Sequence, residues 1–393
     1  MESRAAAQPK TSDGPIPPGS TIGMVGGGQL GRMFAQAASQ LGYEVIVFCE
    51  SELAPAAQVA HRVVVGSTYD FRKVESFAAQ CDVITLEFEN IPAETIALCG
   101  KHAPTYPDAS VLAAAQDRLL EKGTLRDAGL PVTPFTEVRD AASVRAAAET
   151  LGWPMIVKTA RSGYDGKGQF RVDSVDDLQR VSMDASQQWI AERCIDFDRE
   201  ISVIIARTAA GAVRTFPVFE NSHHHHILDI TVTPAELSSG LAVQAAEIAT
   251  KAVEVLDVVG LLCVEMFVTG DQLLINEVAP RPHNSGHLTI EACHTSQFEQ
   301  HVRAVCNLPL GRTDLKCPAA AMANLLGGLW QGDQQPPHWE LALAVEGVSL
   351  HLYGKRIAKP GRKMGHLTAV GDDRNEVAER VRQAREALAS EQE

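Results

Sequence analysis

Between Thr21 and Glu50 the chain reads TIGMVGGGQLGRMFAQAASQLGYEVIVFCE. An apolar run gives way to clustered glycines, then to apolar residues at helical spacing, then to a second β-branched run. That order dictates strand, tight turn, helix and strand, and two strands joined through a helix lie parallel. Further apolar runs at 62–65 and 83–86, with a helical stretch at 71–80 between them, extend the unit into a doubly wound parallel sheet over residues 21–116. Upstream, Gly14, Pro15, Pro17, Pro18 and Gly19 break any periodicity. Residues 1–20 are therefore expected to form a disordered tail outside the fold.

A chain of 393 residues holds two or three domains. The helical stretch that begins near Gln116-Asp117-Arg118 meets its stop signals at Gly129 and Pro131, which places the start of a second unit near residue 117. Short strands are expected at 155–159, 170–172, 189–192, 201–205, 215–218 and 261–278, with a helix at 238–258, an α+β mixture running to residue 309. A smaller α/β unit follows at 310–393, broken at Pro336-Pro337 and closed by a charged helix over 375–391.

Lys and Arg total 35 against 49 Asp and Glu, a net charge of −14, with no basic tract to track a nucleic acid or an anionic membrane. Hydrophobic residues at 45% fit a soluble globular chain. The eight cysteines are scattered without any CxxC, as expected of reduced thiols in the cytoplasm. No apolar run is long enough to span a membrane, and the first twenty residues lack a secretory apolar core.

Four constellations bear on chemistry. Gly26-Gly27-Gly28-Gln29-Leu30-Gly31 satisfies GxGxxG between a strand and a helix, and Glu50 closes the next strand, as in a dinucleotide site. The same geometry serves a sugar phosphate or a ligand-free tight turn. The strand at 155–159 carries Lys158 into Ser162-Gly163-Tyr164-Asp165-Gly166-Lys167-Gly168-Gln169, where three glycines and two lysines suit a polyphosphate. A hairpin turning at Thr269-Gly270-Asp271 places Glu265 opposite Ile275, with Glu277 as its diagonal neighbour about 7–8 Å away. Two carboxylates facing one space invite a divalent cation with nucleotide phosphates. Next comes Pro280-Arg281-Pro282-His283-Asn284-Ser285-Gly286-His287, a stiffened turn rich in groups that hold a small anion or a developing oxyanion. The run His223–His226 has no Cys or carboxylate to complete a metal site, and Cys293-His294 reads as a buried thiol.

Taken together, GGGQLGRM, TLEFENIP, QDRLLEK, IVKTARSGYDGKGQ, ENSHHHHIL and NEVAPRPHNSGHLTIEACHTSQFEQH resemble the ATP-grasp superfamily, and within it the N5-carboxyaminoimidazole ribonucleotide synthetases, over residues 21–370. The resemblance implies an ATP-grasp fold: an N-terminal α/β domain (21–116), an ATP-grasp domain (117–309) with a lid at about 126–193, and a small C-terminal cap (310–393). It implies an ATP-dependent ligase of purine synthesis that carboxylates aminoimidazole ribonucleotide with bicarbonate through carboxyphosphate. The expected cofactors are ATP and Mg²⁺ or Mn²⁺, and the expected assembly is a cytoplasmic homodimer.

By the same resemblance, Arg118, Lys158, Gly163, Tyr164, Asp165, Gly166, Lys167, Gly168 and Gln169 contact ATP. So do the stretch Glu192, Arg193, Cys194 and Ile195, together with Glu200, His223, Asn276 and Glu277. Glu265 and Glu277 hold the metal, while Ala279 stands where many ATP-grasp enzymes place an Asn ligand. Gln29, Glu87, Tyr164, Asp165, Lys355 and Arg362 fall near the ribonucleotide, the last two near its phosphate. Arg281, His283 and Asn284 orient bicarbonate and carboxyphosphate. Strict alternation, however, puts Asn276 on the face opposite Glu277. Three alternatives stand beside this reading: an NAD-dependent oxidoreductase using GGGQLG, a catalytically silent nucleotide-binding regulator, and another ATP-grasp carboxylate–amine ligase.

Overall fold

The computed structural model describes residues 14–161, 168–330 and 335–389. Five parallel strands, β1 (Thr21–Val25), β2 (Glu44–Cys49), β3 (Arg62–Val65), β4 (Val83–Leu86) and β5 (Thr105–Tyr106), form a sheet in the order β3-β2-β1-β4-β5. The near-continuous burial of β1, β2 and β4 is what a parallel sheet covered on both faces requires. On one face the helix Gln29–Gln40 packs Met33 and Phe34 against Phe298 and Val302 of the helix Gln297–Val305. On the other, the helices Phe71–Ala78 and Ala93–Cys99 contribute Phe77 and Ile96. The strand order reverses between β2 and β4 on either side of β1, so the crevice of this sheet opens where β1 and β4 end.

Residues 14–20 correct the expectation of a tail. Ile16 is buried, its N–H donates to the Cys306 carbonyl at 2.8 Å, and the Tyr43 hydroxyl donates to the Ile16 carbonyl at 2.7 Å. The prolines that break periodicity leave the segment irregular but still able to pack.

A second, four-stranded antiparallel sheet contains β6 (Phe135–Val138), β7 (Met155–Thr159), β8 (Gln169–Val172) and β9 (Trp189–Arg193) in the order β6-β9-β7-β8, backed by the helix Ala141–Leu151. The third sheet is antiparallel and holds the remaining strands: β10 (Arg199–Arg207), β11 (Val213–Thr215), β12 (Phe219–His224), β13 (Ile227–Thr233), β14 (Gly260–Thr269), β15 (Gln272–Ala279), β16 (Ala319–Leu326), β17 (Val348–Leu352) and β18 (Lys363–Gly371). Their order is β15-β14-β10-β12-β13-β16-β18-β17, with β11 paired to β10. The strand expected at 215–218 is split, because Pro217 has no N–H to give the ladder. The C-terminal strands do not stand apart; β16 pairs with β13 and continues the sheet.

The central sheet has one dry face and one chemical face. Ile201, Val203, Val264 and Met266 pack under the helix Ser239–Val255, and Ile230, Val232, Ala321 and Ala369 pack under the helix Arg374–Ala389. Those helices exclude water from that side, which leaves the polar residues of alternate positions on the other. None of the eight cysteines forms a disulfide, and burial pushes the Cys293 thiol up to about 12. Among the described residues no helix is long and apolar enough to cross a membrane.

Gly26, immediately after β1, has φ +118°, and a Cβ built there would lie 2.4 Å from Cγ of Glu87. Gly26→Ala should therefore lower stability by about 2–4 kcal/mol through backbone strain and overpacking together. Urea denaturation measures it, and a midpoint unchanged from the parent would show that this turn does not require glycine.

Candidate active site

The glycine turn after β1 is already occupied. Both oxygens of Glu87, which follows β4, accept backbone N–H groups at the start of the helix Gln29–Gln40, one from Gly28 and one from Gly31 at 2.8 Å. The helix N-terminus favours an anion, and the chain supplies its own. Burial pushes the Glu87 carboxyl up, while the two glycine N–H groups, then Lys355 and Arg281, pull it down; the net direction is upward. This corrects the dinucleotide alternative, because the N–H groups that would receive a pyrophosphate are taken. Gln29 stands half-buried beside them at the first position of the helix.

Glu265 and Glu277 sit directly opposite one another in the β14–β15 ladder, not diagonally as expected. The register slips between Glu265↔Glu277 and Met266↔Ile275, which makes Asn276 the extra residue of a β-bulge. A bulge breaks the alternation that would send Asn276 and Glu277 to opposite faces. Burial, then the charge of Glu277, then a hydrogen bond to its carboxyl push Glu265 well above the usual carboxylate range. Two facing, desolvated carboxylates are a hard-oxygen donor pair, and that chemistry fits a hard divalent cation. Among the described residues no third His, Cys, Asp or Glu completes the group. Glu200 lies on the same face of β10, its carboxylate hydrogen-bonded to Nδ1 of His223. His225 and His226 have φ of 51° and 62° and form the turn of the β12–β13 hairpin, so the histidine run does not converge on one point.

From the second sheet, Lys158 reaches Oε1 of Glu192 at 3.1 Å, and Lys122 of the helix Arg118–Asp127 reaches Oε2 at 3.3 Å. Lys122 is fully buried; desolvation lowers its pKa, opposed by Glu192. Glu121 beside it accepts the Val278 N–H at 3.3 Å, and burial, then the Glu277 charge, raise it to about 8. Arg118 donates to the Thr159 carbonyl at 3.2 Å, next to Lys158. Arg193 turns its guanidinium away, to the carbonyls of Leu151 at 2.8 Å and Thr150 at 3.3 Å. Cys194 and Ile195 follow β9, and the Cys194 N–H donates to the Pro154 carbonyl at 3.0 Å. Gln169 opens β8 with Gly168 in the turn before it, whereas Gly163, Tyr164, Asp165, Gly166 and Lys167 lie outside the described residues.

The turn after β15 bridges two sheets. Arg281 makes a two-pronged contact with Glu89, Nη2 to Oε1 at 2.9 Å and Nε to Oε2. Burial pushes the Glu89 carboxyl up, but the Arg281 guanidinium outweighs it, and the net shift is downward. Nε2 of His283 is 3.5 Å from Oε1 of Glu265; burial, then Arg281, hold this imidazole far below its ordinary pKa, so it is neutral. Gln297 clamps the His283 backbone from both sides, accepting its N–H at 2.9 Å and donating to its carbonyl at 2.8 Å. Asn284 is 8% exposed, and neither atom of its amide has a partner, an orphan of the kind that a bound ligand satisfies.

Lys355 lies beyond β17, its ammonium donating to the Lys363 carbonyl at 2.6 Å. Burial first, then the Arg362 charge, lower it to about 8, while Glu87 opposes the shift. Arg362 is exposed and donates to the Ile357 carbonyl at 2.6 Å. Glu87 and Lys355 are thus electrostatic neighbours contributed by opposite ends of the chain. The sequence reading missed Glu89, Glu121, Lys122 and Gln297. All four lie inside the motifs that carry the family resemblance, Glu89 in TLEFENIP, Glu121 and Lys122 in QDRLLEK and Gln297 in the long run that begins at Asn276. The arrangement can hold a hard cation beside two lysines and present a fixed guanidinium, a neutral imidazole and a free amide to a small anion.

Three family descriptions match in succession: a ribonucleotide synthetase preATP-grasp domain over 20–116, an ATP-grasp domain over 123–298, and a phosphoribosylaminoimidazole carboxylase C-terminal domain over 320–380. The chain is 41% identical over 355 residues to the N5-carboxyaminoimidazole ribonucleotide synthase of Bacillus subtilis, covering 90% of this chain and 92% of that one. It is 42% identical to the bifunctional purine synthesis protein purC/E of Dictyostelium discoideum, of which it spans only 37%. Among solved structures, an N5-carboxyaminoimidazole ribonucleotide synthetase in its ADP complex superposes with a TM-score of 0.87 at 40% identity, over 95% of this chain and 98% of that one. An Aspergillus clavatus synthase in complex with ADP and 5-aminoimidazole ribonucleotide gives 0.85 at 31% identity, over 94% and 98%.

Removing the Glu89 charge leaves Arg281 part-buried without its anion, so Glu89→Gln should cost about 1–3 kcal/mol at neutral pH. A carboxylate whose folded pKa is depressed stabilises above its unfolded pKa and loses that contribution as pH falls through the folded value. The gap between parent and variant should therefore shrink below the usual carboxylate range. Urea denaturation at pH 7 and at pH about 3.5 tests it, and a gap that widens on acidification contradicts the assignment.

Proposed function

The chain belongs to the N5-carboxyaminoimidazole ribonucleotide synthase family of ATP-grasp ligases, and on that premise we propose that it uses ATP and bicarbonate to carboxylate the 5-amino group of 5-aminoimidazole ribonucleotide in purine synthesis. The observation that carries this reading is the Arg281–Glu89 tie. It brings the turn beside the carboxylate pair to the open crevice of the N-terminal sheet, so a nucleotide site and a second substrate site share one space. A regulator that only bound nucleotide would have no task for that junction.

In the reaction a bicarbonate oxygen attacks the γ-phosphorus of ATP and the bond to ADP breaks, leaving carboxyphosphate. Its carbon then loses phosphate and is captured by the amine, which releases a proton as the carbamate forms. Glu265 and Glu277 would hold Mg²⁺ or Mn²⁺, which when bound neutralises charge on the phosphoryl oxygens. Lys158, Arg118 and the 163–169 loop act on the polyphosphate, and Glu192 to Ile195, Glu200, His223 and Asn276 contact the rest of ATP. Arg193 does so through its backbone, since its guanidinium is engaged at the end of the helix Ala141–Leu151. Arg281, His283 and Asn284 orient bicarbonate and carboxyphosphate, and a water-excluding lid protects the intermediate. Gln29, Glu87, Tyr164 and Asp165 would contact the ribonucleotide, and Lys355 and Arg362 would take its phosphate. The units at 21–116, 117–309 and 310–393 then supply the ribonucleotide site, the nucleotide site with its lid at about 126–193, and the phosphate contacts. A cytoplasmic homodimer is the form this reading expects.

The test is to measure ADP release and incorporation of labelled bicarbonate with each substrate omitted in turn. ADP formation should need the ribonucleotide for full rate, with one label fixed per ADP. An ATPase indifferent to ribonucleotide and bicarbonate would overturn the reading.

A pH experiment tests the phosphate contact separately. The Lys355 ammonium is charged below its pKa of about 8 and is lost above it. The KM for the ribonucleotide should accordingly rise above pH 8, approaching about tenfold per unit, while the KM for ATP stays flat. Lys355→Arg should abolish the inflection, because guanidinium keeps its charge. A KM that is level from pH 7 to 9.5 in the parent would remove Lys355 from the phosphate site.

A further inference from the structure

Beneath the 280–287 turn a row of buried side chains, given no task by the ligase reading, runs into the central sheet. Thr231 Oγ1 donates to Asn221 Oδ1 at 2.9 Å, and Asn221 Nδ2 donates to Ser202 Oγ at 2.9 Å. Ser202 Oγ and Ser285 Oγ are 2.8 Å apart, and Ser285 Oγ is 2.8 Å from Nδ1 of His283. Thr231, Ser202 and Ser285 are fully buried and Asn221 is 6% exposed. The members come from β13, β12, β10 and the turn, so only the assembled register joins them.

This row has a direction. An amide nitrogen can only donate, so Ser202 Oγ accepts from Asn221 and has its single proton left for Ser285. Ser285 then gives its own proton to Nδ1 of His283. The backbone N–H of Ser285, also a donor only, points to the same Nδ1 at 3.3 Å. That bond is longer than the 2.8 Å contact from Ser285 Oγ and agrees with it, so the hydroxyl at the end of the row is the stronger of the two donors to the ring. Nδ1 is therefore an acceptor, and the ring proton is on Nε2, the nitrogen 3.5 Å from Glu265 that faces the site.

We propose that Thr231, Asn221, Ser202 and Ser285 form a proton-ordered relay that fixes His283 as its Nε2–H tautomer, so that it meets the carboxylated intermediate as a hydrogen-bond donor. The proposal rests on the ligase reading only for the identity of the group that receives this bond. The reason is electrostatic. An imidazole free to exchange tautomers would for part of the time present a lone pair to Glu265 and to an anionic intermediate. Locked by the relay, it presents N–H where negative charge develops as phosphate leaves. Ser285, Ser202 and Asn221 are positioning residues and touch no substrate themselves.

The nearly isosteric change Asn221→Asp turns the relay round. A carboxylate has no proton to give, so Ser202 must donate to it, Ser285 to Ser202, and His283 from Nδ1 to Ser285. Protein labelled with ¹⁵N-histidine, with His283 assigned by difference against His283→Gln, reports which nitrogen carries the proton. The parent should show Nε2 protonated, and Asn221→Asp should show Nδ1 protonated or a mixture of both. In steady state the variant should keep its KM for ATP and ribonucleotide but fix about tenfold less label per ADP released. Ser202→Ala cuts the row without adding charge, should release the tautomer in the same way, and stands in if the aspartate variant does not fold. A parent protonated on Nδ1, or folded variants with unchanged tautomer and coupling, would overturn the relay. A parent that fixes no label would overturn the ligase reading, whereas the tautomer measurement needs no turnover.

Discussion

Buried charge on one face of the central sheet is the constraint around which the rest of the structure is arranged. The helices on the dry face exclude water from that side, so Glu200, Glu265 and Glu277 meet solvent only through the crevice. Bringing two carboxylates together in a poorly solvated space is unfavourable, and a buried ion network is weak evidence for stability. Two groups from elsewhere meet this charge: His223 of the neighbouring strand hydrogen-bonds Glu200, and Arg281, braced by Glu89 from the N-terminal sheet, lies within the field of Glu277. The central and N-terminal sheets are tied together by the Arg281–Glu89 pair, which spans them.

The glycine turn illustrates how the same physics can be satisfied from inside. GGGQLG has every feature of an anion site: a strand before it, a helix after it and free N–H groups at the helix start. Glu87 fills it, and no side chain larger than glycine fits over that carboxylate, since a Cβ at Gly28 would lie 2.8 Å from Oε1. The motif therefore fixes where β4 ends relative to β1. That placement aims Glu87 at Lys355 and Glu89 at Arg281, so a pattern that reads as cofactor recognition acts as the joint between chain ends.

Much of the fold was legible because it follows from local order. The βαβ run, the expected strands and the 238–258 helix, observed as Ser239–Val255 with Ser238 as its cap, all depend on spacing and punctuation. What escaped depends on relations between distant segments. The Glu265–Glu277 pairing rests on a bulge at Asn276, and centring a hairpin on Gly270 gives no hint of it. β16 reads AAAMANLL, whose alanines carry no strand preference but bury their small faces under the helix Arg374–Ala389. Ser202, Asn221 and Thr231 are ordinary polar residues within apolar strands, and nothing nearby in sequence marks them as neighbours of His283. Of the site itself, charged residues in dense motifs were found, while their buried partners were not.

Hydrogen-bond satisfaction separates two kinds of polar residue in the 280–287 turn. His283 is held on all sides, its backbone by Gln297 and its ring by Ser285, with Glu265 ahead of it. Gly286 is required for that clamp, because a Cβ there would lie 2.5 Å from Oε1 of Gln297. Asn284, its immediate neighbour, is more deeply buried and has neither amide atom paired. Leaving a buried amide unsatisfied costs about 1–3 kcal/mol, so an amide with both atoms open beside the fully held His283 is primed for something that arrives later. The satisfied groups set geometry before substrate binds, and the unsatisfied one supplies bonds that form only when it does. Fixed geometry with bonds held in reserve is the combination by which binding energy is directed to the reacting group.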